Sequence, residues 1–156
     1  MRAIYSISTG AAVALSAATA KTILAALSPA QFGIDILGFD ISFDGVTASA
    51  VPALVEVCSS TNASNSTPGT NNTTGTINQI AGRSITAGFT GFYASTTEPT
   101  VLTPFERFTL SPNGGLFSYD FPRDANPDIA VSAGVVLRVT APAAVNANAT
   151  LRFARC

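Results

Sequence analysis

"AIYSISTGAAVALSAATAKTIL", residues 3 to 24, is the stretch on which the fold turns. One reading makes it a signal sequence. Arg2 supplies a positive charge, an apolar run follows, and Ala18-Thr19-Ala20 has the small-x-small form of a cleavage site. The other reading makes it strand, retained in the folded protein. A single basic residue precedes the run, and Ser6, Ser8, Thr9, Gly10 and Ser16 interrupt it. "AIYSIST" alternates, with Ile4, Ser6 and Ser8 on one face and Tyr5, Ile7 and Thr9 on the other. Val13, Leu15, Ala17 and Thr19 then share a face, and Lys21 and Ile23 keep that parity. Helix competes, since alanine is the best helix former, but Thr, Ser and Gly10 weaken it. The strand reading is preferred, with no cleaved signal peptide expected.

The same alternation continues downstream. In "GIDILGFDISF" (33–43) Ile34 and Ile36 are in step, then Phe39, Ile41 and Phe43. The phase changes at Leu37-Gly38, as a β-bulge would change it. "ALVEVC" (53–58) is a β-branched strand after Pro52, and "SITAGFTGFYAS" (84–95) reads as a Gly-rich aromatic strand. "FERFTL" (105–110) and "GLFSYDF" (115–121) flank "SPNGG", which reads as a hairpin turn. "GVVLRVTA" (134–141) puts Val135, Leu137 and Val139 on one face. "VNANATLRFA" (145–154) alternates Val145, Ala147, Ala149, Leu151 and Phe153 with polar or basic residues. Residues 59–76 hold only Ser, Thr, Asn, Ala, Pro and Gly, so a long exposed loop with no core anchor is expected there. The whole predicts one all-β domain over 1–156. Its fold is a jelly-roll-like antiparallel sandwich of about eight or nine strands, with residues 1–10 as an N-terminal arm or strand.

Composition removes several classes of chemistry. The 156 residues contain no histidine, one lysine and two cysteines. His-based acid–base work, the Ser-His-Asp arrangement and Cys-rich zinc sites therefore have no material. The 8 basic and 9 acidic residues are scattered, without the basic run of a nucleic-acid footprint. No uninterrupted apolar run is long enough to span a bilayer. Charged residues are 11 %, less than half the usual share, so much of the surface is either Ser/Thr/Asn or covered by partners.

Other candidate sites have plainer readings. Five sequons begin at Asn62, Asn65, Asn71, Asn72 and Asn148, but a Ser/Thr/Asn tract generates them by chance. Asp35, Asp40 and Asp44 lack the spacing of a calcium loop, and Asp35 shares their face only if the bulge re-aims it. Asp120, Asp124 and Asp128 fall in one loop where Arg123 can pair with an acid. Glu56, Glu98 and Glu106 are the only glutamates, and nothing in the sequence brings two together for glycoside hydrolysis. Cys58 and Cys156 are either a disulfide or two thiols. No catalytic, cofactor or metal residue is assigned.

"ISFDG" (41–45), "VPALVEVC" (51–58), "TTEPT" (96–100), "FTLSPNGG" (108–115) and "VSAGVVLRVTAP" (131–142) together resemble the head decoration, or cement, proteins of tailed bacteriophages. The chain departs from that pattern at "RFARC", where an acidic ending is expected. The resemblance implies a structural virion protein on the outer capsid surface. It would be a homotrimer that braces capsomers through contact with the major capsid protein, with no cofactor, nucleic acid or membrane involved. Arg2, Ile4, Tyr5, Phe89, Phe92 and Tyr93 are the expected interface residues. The alternative is a receptor- or carbohydrate-binding sandwich, which needs exposed aromatics such as Phe89, Phe92 and Tyr93.

Overall fold

The computed structural model describes residues 2–44, 51–61 and 71–156. Among them are β1 (Ile4–Ser8), β2 (Val13–Leu15), β3 (Ala20–Leu27), β4 (Ile34–Asp44), β5 (Ala53–Thr61), β6 (Thr73–Gly75) and β7 (Ile77–Ala81). They are followed by β8 (Thr90–Tyr93), β9 (Leu102–Leu110), β10 (Phe117–Asp120), β11 (Asp128–Ile129), β12 (Ala133–Thr140) and β13 (Val145–Arg155). The chain is an all-β sandwich. Sheet I runs β10-β4-β13-β1-β7, with β11 on β4 and β2 on β13, and sheet II runs β6-β8-β3-β12-β5-β9.

Set aside β2, β11 and the β6–β8 insertion. The remaining eight strands are β10-β4-β13-β1 facing β3-β12-β5-β9. Each step along these eight strands changes sheet, except β5 to β9, which stays within sheet II. This is the two-sheet arrangement of a jelly roll.

The opening stretch belongs to this framework. β1 lies between β13 and β7, and its Tyr5 and Ile7 are completely buried. They join Phe39, Ile41, Leu137, Leu151 and Phe153 in one core cluster. Burying each such side chain contributes about 1.5–3 kcal/mol. The expected parity beyond Leu15 is interrupted. Ala18 adopts φ 55° and turns the chain between β2 and β3, so one anticipated strand is two.

The bulge in β4 is where the phase change put it. Arg152 faces Gly38 and Phe153 faces Ile36, leaving Leu37 unpaired. This slip lets Ile34 and Ile36, then Phe39 and Ile41, all point inward.

Three expectations need correction. "SPNGG" is a turn, with Gly114 N–H bonded to Ser111 O and Gly115 at φ 76°, but it does not make a hairpin. β9 pairs with β5 in sheet II and β10 with β4 in sheet I. Phe108, Phe117 and Tyr119 pack between the layers, and that burial decides the connection. The aromatic segment 84–95 is strand only over Thr90–Tyr93. The 59–76 loop is shorter than expected. β5 runs to Thr61 and β6 begins at Thr73, while Ser60 and Asn72 are both buried. Asn72 is anchored by the Ser95 hydroxyl at 2.6 Å. Residues 62–70 lie outside the described residues.

β6 and β7 form one run of chain that passes from sheet II to sheet I at Thr76. The crossing depends on two facing glycines, Gly75 and Gly91. A Cβ would stand 2.7 Å from Ile7 Cδ1 at Gly75 and 2.3 Å from it at Gly91.

The outer face of sheet II is also buried. Ala25, Leu27, Cys58, Phe92 and Val136 form a second apolar cluster there. The link 94–101 crosses from β8, next to the edge strand β6, to β9 at the opposite edge, and its Pro99 is buried. Ser95 N–H bonds Thr22 O, while Thr22 N–H and its hydroxyl both donate to the Glu98 carboxylate.

Candidate functional site

The outer face of sheet I is the polar face of the molecule. Ser6 and Ser8 of β1, Thr150 and Arg152 of β13, and Asp40 and Ser42 of β4 line up across it. Arg152 is its hub. The guanidinium pairs with Asp40 and, at 2.7 Å, with Asp120. Ser118 donates to Asp40, and Ser8 shares a 2.9 Å bond with Thr150. Burial lowers the Arg152 pKa, but the bonds to Asp40 and Asp120 outweigh it and the net shift is upward.

This face leads to an open cleft of about 720 Å³ at one end of the sandwich. Arg2, Asp35, Arg123, Asp124, Asp128 and Cys156 are among its lining residues. Arg2 pairs with Asp35, which also accepts from Asn126 Nδ2 at 2.7 Å. The bulge does bring Asp35 to the face that carries Asp40 and Asp44, but each sits in a different register row of β13. Asp120 leaves its loop companions to pair with Arg152. Among the described residues no three His, Cys, Asp or Glu side chains converge to hold a metal.

Sheet II carries a second ionic group. Glu56 is 3 % exposed, yet it meets Arg107 at 2.8 Å and Arg138 at 2.7 Å. Glu98 is held by Thr22, and Glu106 stands on the edge strand β9. Both cysteines are free thiols. Cys58 lies under the outer face of sheet II, where burial drives its pKa up to about 11. Cys156 ends the chain in the cleft, and its pKa is raised by burial and by Asp128 and Asp35. Neither thiol is activated toward nucleophilic attack.

The expected interface residues do not form one surface. Arg2 and Ile4 line the cleft. Tyr5 and Phe92 are fully buried, so neither is available to a partner in this conformation. Phe89 is partly buried among Tyr5, Phe32 and Phe153, and Tyr93 packs partly on the core. An exposed Phe89–Phe92–Tyr93 platform therefore does not exist. Of the sequons, Asn62 and Asn65 lie outside the described residues, Asn72 is buried, and Asn148 is half-buried on β13.

Sequence reasoning missed both ionic hubs. The available signal was a lone charge inside an apolar strand, as in Glu56 of "ALVEVC" and Arg138 of "GVVLRVTA". It also missed Arg155, which stacks 4.1 Å over Phe32 and donates to Thr86 O and Ala87 O. No family model, curated protein or solved structure matches the chain.

Proposed function

We propose that this chain is a structural virion protein. It associates with its own copies, as a trimer, and decorates the outer surface of a bacteriophage capsid by bridging neighbouring major capsid protein subunits. The observation that carries this reading is the placement of exposed apolar side chains. Ile80 on β7 and Ile85 after it are 53 % and 43 % exposed, and Val101, just before the edge strand β9, and Val131, in the turn between β11 and β12, are each 49 % exposed. Single exposed apolar residues are ordinary. Two separate pairs of them on a chain with 11 % charged residues suit a surface shared with other subunits. The jelly roll and the likeness of its turn and strand motifs to phage head decoration proteins support the same reading.

The test is native mass spectrometry followed by co-sedimentation with expanded capsids of the source phage. A trimer that sediments with capsids is the expected result. A stable monomer that stays in the supernatant overturns the proposal.

A carbohydrate-binding module is the second reading, and one observation favours it. A groove of about 170 Å³ on the polar face brings Asp40, Ser42 and Asn148 beside Leu116, which is 69 % exposed. Hydroxyl-binding groups next to an apolar surface suit a sugar. Specific hits on a glycan array, lost in Leu116→Asp, would move the assignment there.

A further inference from the structure

We infer that the two flanks of this chain fit one another, so that a knob beside β7 of one copy enters a socket between β5, β9 and β11 of the next. This rests on the self-association proposed above and names the surfaces that make it.

The knob is Ile80 near the end of β7 together with the segment that follows it, residues 82–85. Gln79 clamps it, with Nε2 donating to Ala81 O at 3.0 Å and Arg83 O at 2.6 Å and Oε1 accepting from Ile85 N–H at 3.0 Å. The Tyr5 hydroxyl adds a 3.1 Å bond to Ile85 O. Four hydrogen bonds therefore fix the backbone of Ala81, Arg83 and Ile85, just beyond Ile80, which limits the ordering cost of binding. Arg83 is exposed, and its guanidinium has no ion-pair partner among the described residues.

The socket is a pocket of about 300 Å³ lined by Ser60, Thr103, Val101, Asp128, Ile129 and Ala133, among others. Val131 lies in the turn beside it. One feature leaves it incomplete. Asp128 is an exposed carboxylate with no ion-pair partner among the described residues.

The two surfaces are complementary in kind. Two apolar side chains and a cation face two apolar side chains and an anion. Arg83 of the partner subunit pairs with Asp128, while the partner's Ile80 and Ile85 cover Val101 and Val131. Knob and socket are different patches, so the contact between copies is head-to-tail, and in the trimer proposed above it closes into a ring of three.

The experiment is native mass spectrometry and sedimentation of the full chain, Arg83→Glu, Asp128→Arg and the double variant. Circular dichroism checks that each is folded. Each single change should raise the dissociation constant about tenfold or more, and the double should return it to within a few-fold of the parent. Val101→Asp should weaken association as well. An oligomeric parent whose single variants associate equally well overturns the socket and leaves self-association standing. A parent that is monomeric at every concentration overturns both.

Discussion

Gly38 and Arg152 face each other across β4 and β13, and the guanidinium passes over the glycine to reach Asp120 on β10. A Cβ at position 38 would stand 2.4 Å from Asp120 Oδ1, 2.5 Å from Tyr119 O and 3.1 Å from Arg152 Nη2. One of these atoms is backbone, so side-chain rotation alone cannot relieve the contact. Gly38→Ala should lower stability by about 1–3 kcal/mol, the range for overpacking a tight site. Urea denaturation checks it, and a loss below the scatter of surface substitutions would count against the bridge.

Gly91 makes room for one methyl group, Ile7 Cδ1. Gly91→Ala should therefore destabilise the chain by about 1–3 kcal/mol. Ile7→Val removes that methyl and on its own costs about 0.5–1.5 kcal/mol. Combined, the two should cost less than their sum, and a double-mutant cycle measures the difference.

Glu56 and Arg107 differ sharply in worth although they touch. Glu56 is buried between two arginines, so Glu56→Ala strands Arg138 and should cost about 3–5 kcal/mol. The Arg107 side chain is 63 % exposed, and Arg107→Ala should cost less than about 1 kcal/mol. Equal losses in thermal or chemical melts would contradict this account of the pair.

The two thiols should separate by access. In the native protein a thiol-exchange reagent at mildly alkaline pH should label Cys156, which is exposed, with Cys58 reacting only on unfolding. Burial holds the Cys58 pKa at about 11, above its ordinary value of 9.0. The unfolded chain therefore loses this proton first, and stability should fall as pH rises through the window between those two values. The fall should be smaller in Cys58→Val, as followed by melting temperature against pH.

Removing residues 2–20 takes away β1 and β2 and leaves β13 and β7 without the strand between them. Such a chain should show no cooperative thermal transition by circular dichroism. Tyr5→Ala in the intact chain should cost about 3–5 kcal/mol, as large aromatic truncations in a core do.

Much of the framework could be read from alternation. Tyr5 and Ile7 inward, the slip at Leu37, and Val145 to Phe153 inward on β13 are period-two signals, and burial on one face imposes them. What alternation could not tell was partnership. "FTLSPNGGLFSYDF" has the local form of a hairpin, yet the preference of Phe108, Phe117 and Tyr119 for the space between layers sends its arms to different sheets. The polar stretch around Ser60 and Asn72 carries no apolar period, so its strands depend on neighbours distant in sequence. The candidate site was the least legible part. Arg152, Asp40 and Asp120 meet only because β13, β4 and β10 are adjacent. Ala81, Arg83 and Ile85 are drawn together by the side chain of Gln79, which no local pattern announces.

The passage of one strand from sheet II to sheet I at Thr76 makes the sandwich asymmetric in strength. On that flank the two layers share a covalent backbone, like the spine of a book. On the other, β9 and β10 are joined only by the 111–116 turn at one end, and above it Phe108, Phe117 and Tyr119 hold the layers by contact alone. A force that separates the layers opens the molecule at its fore-edge, and the amides of β9 and β10 reach solvent while the spine remains closed.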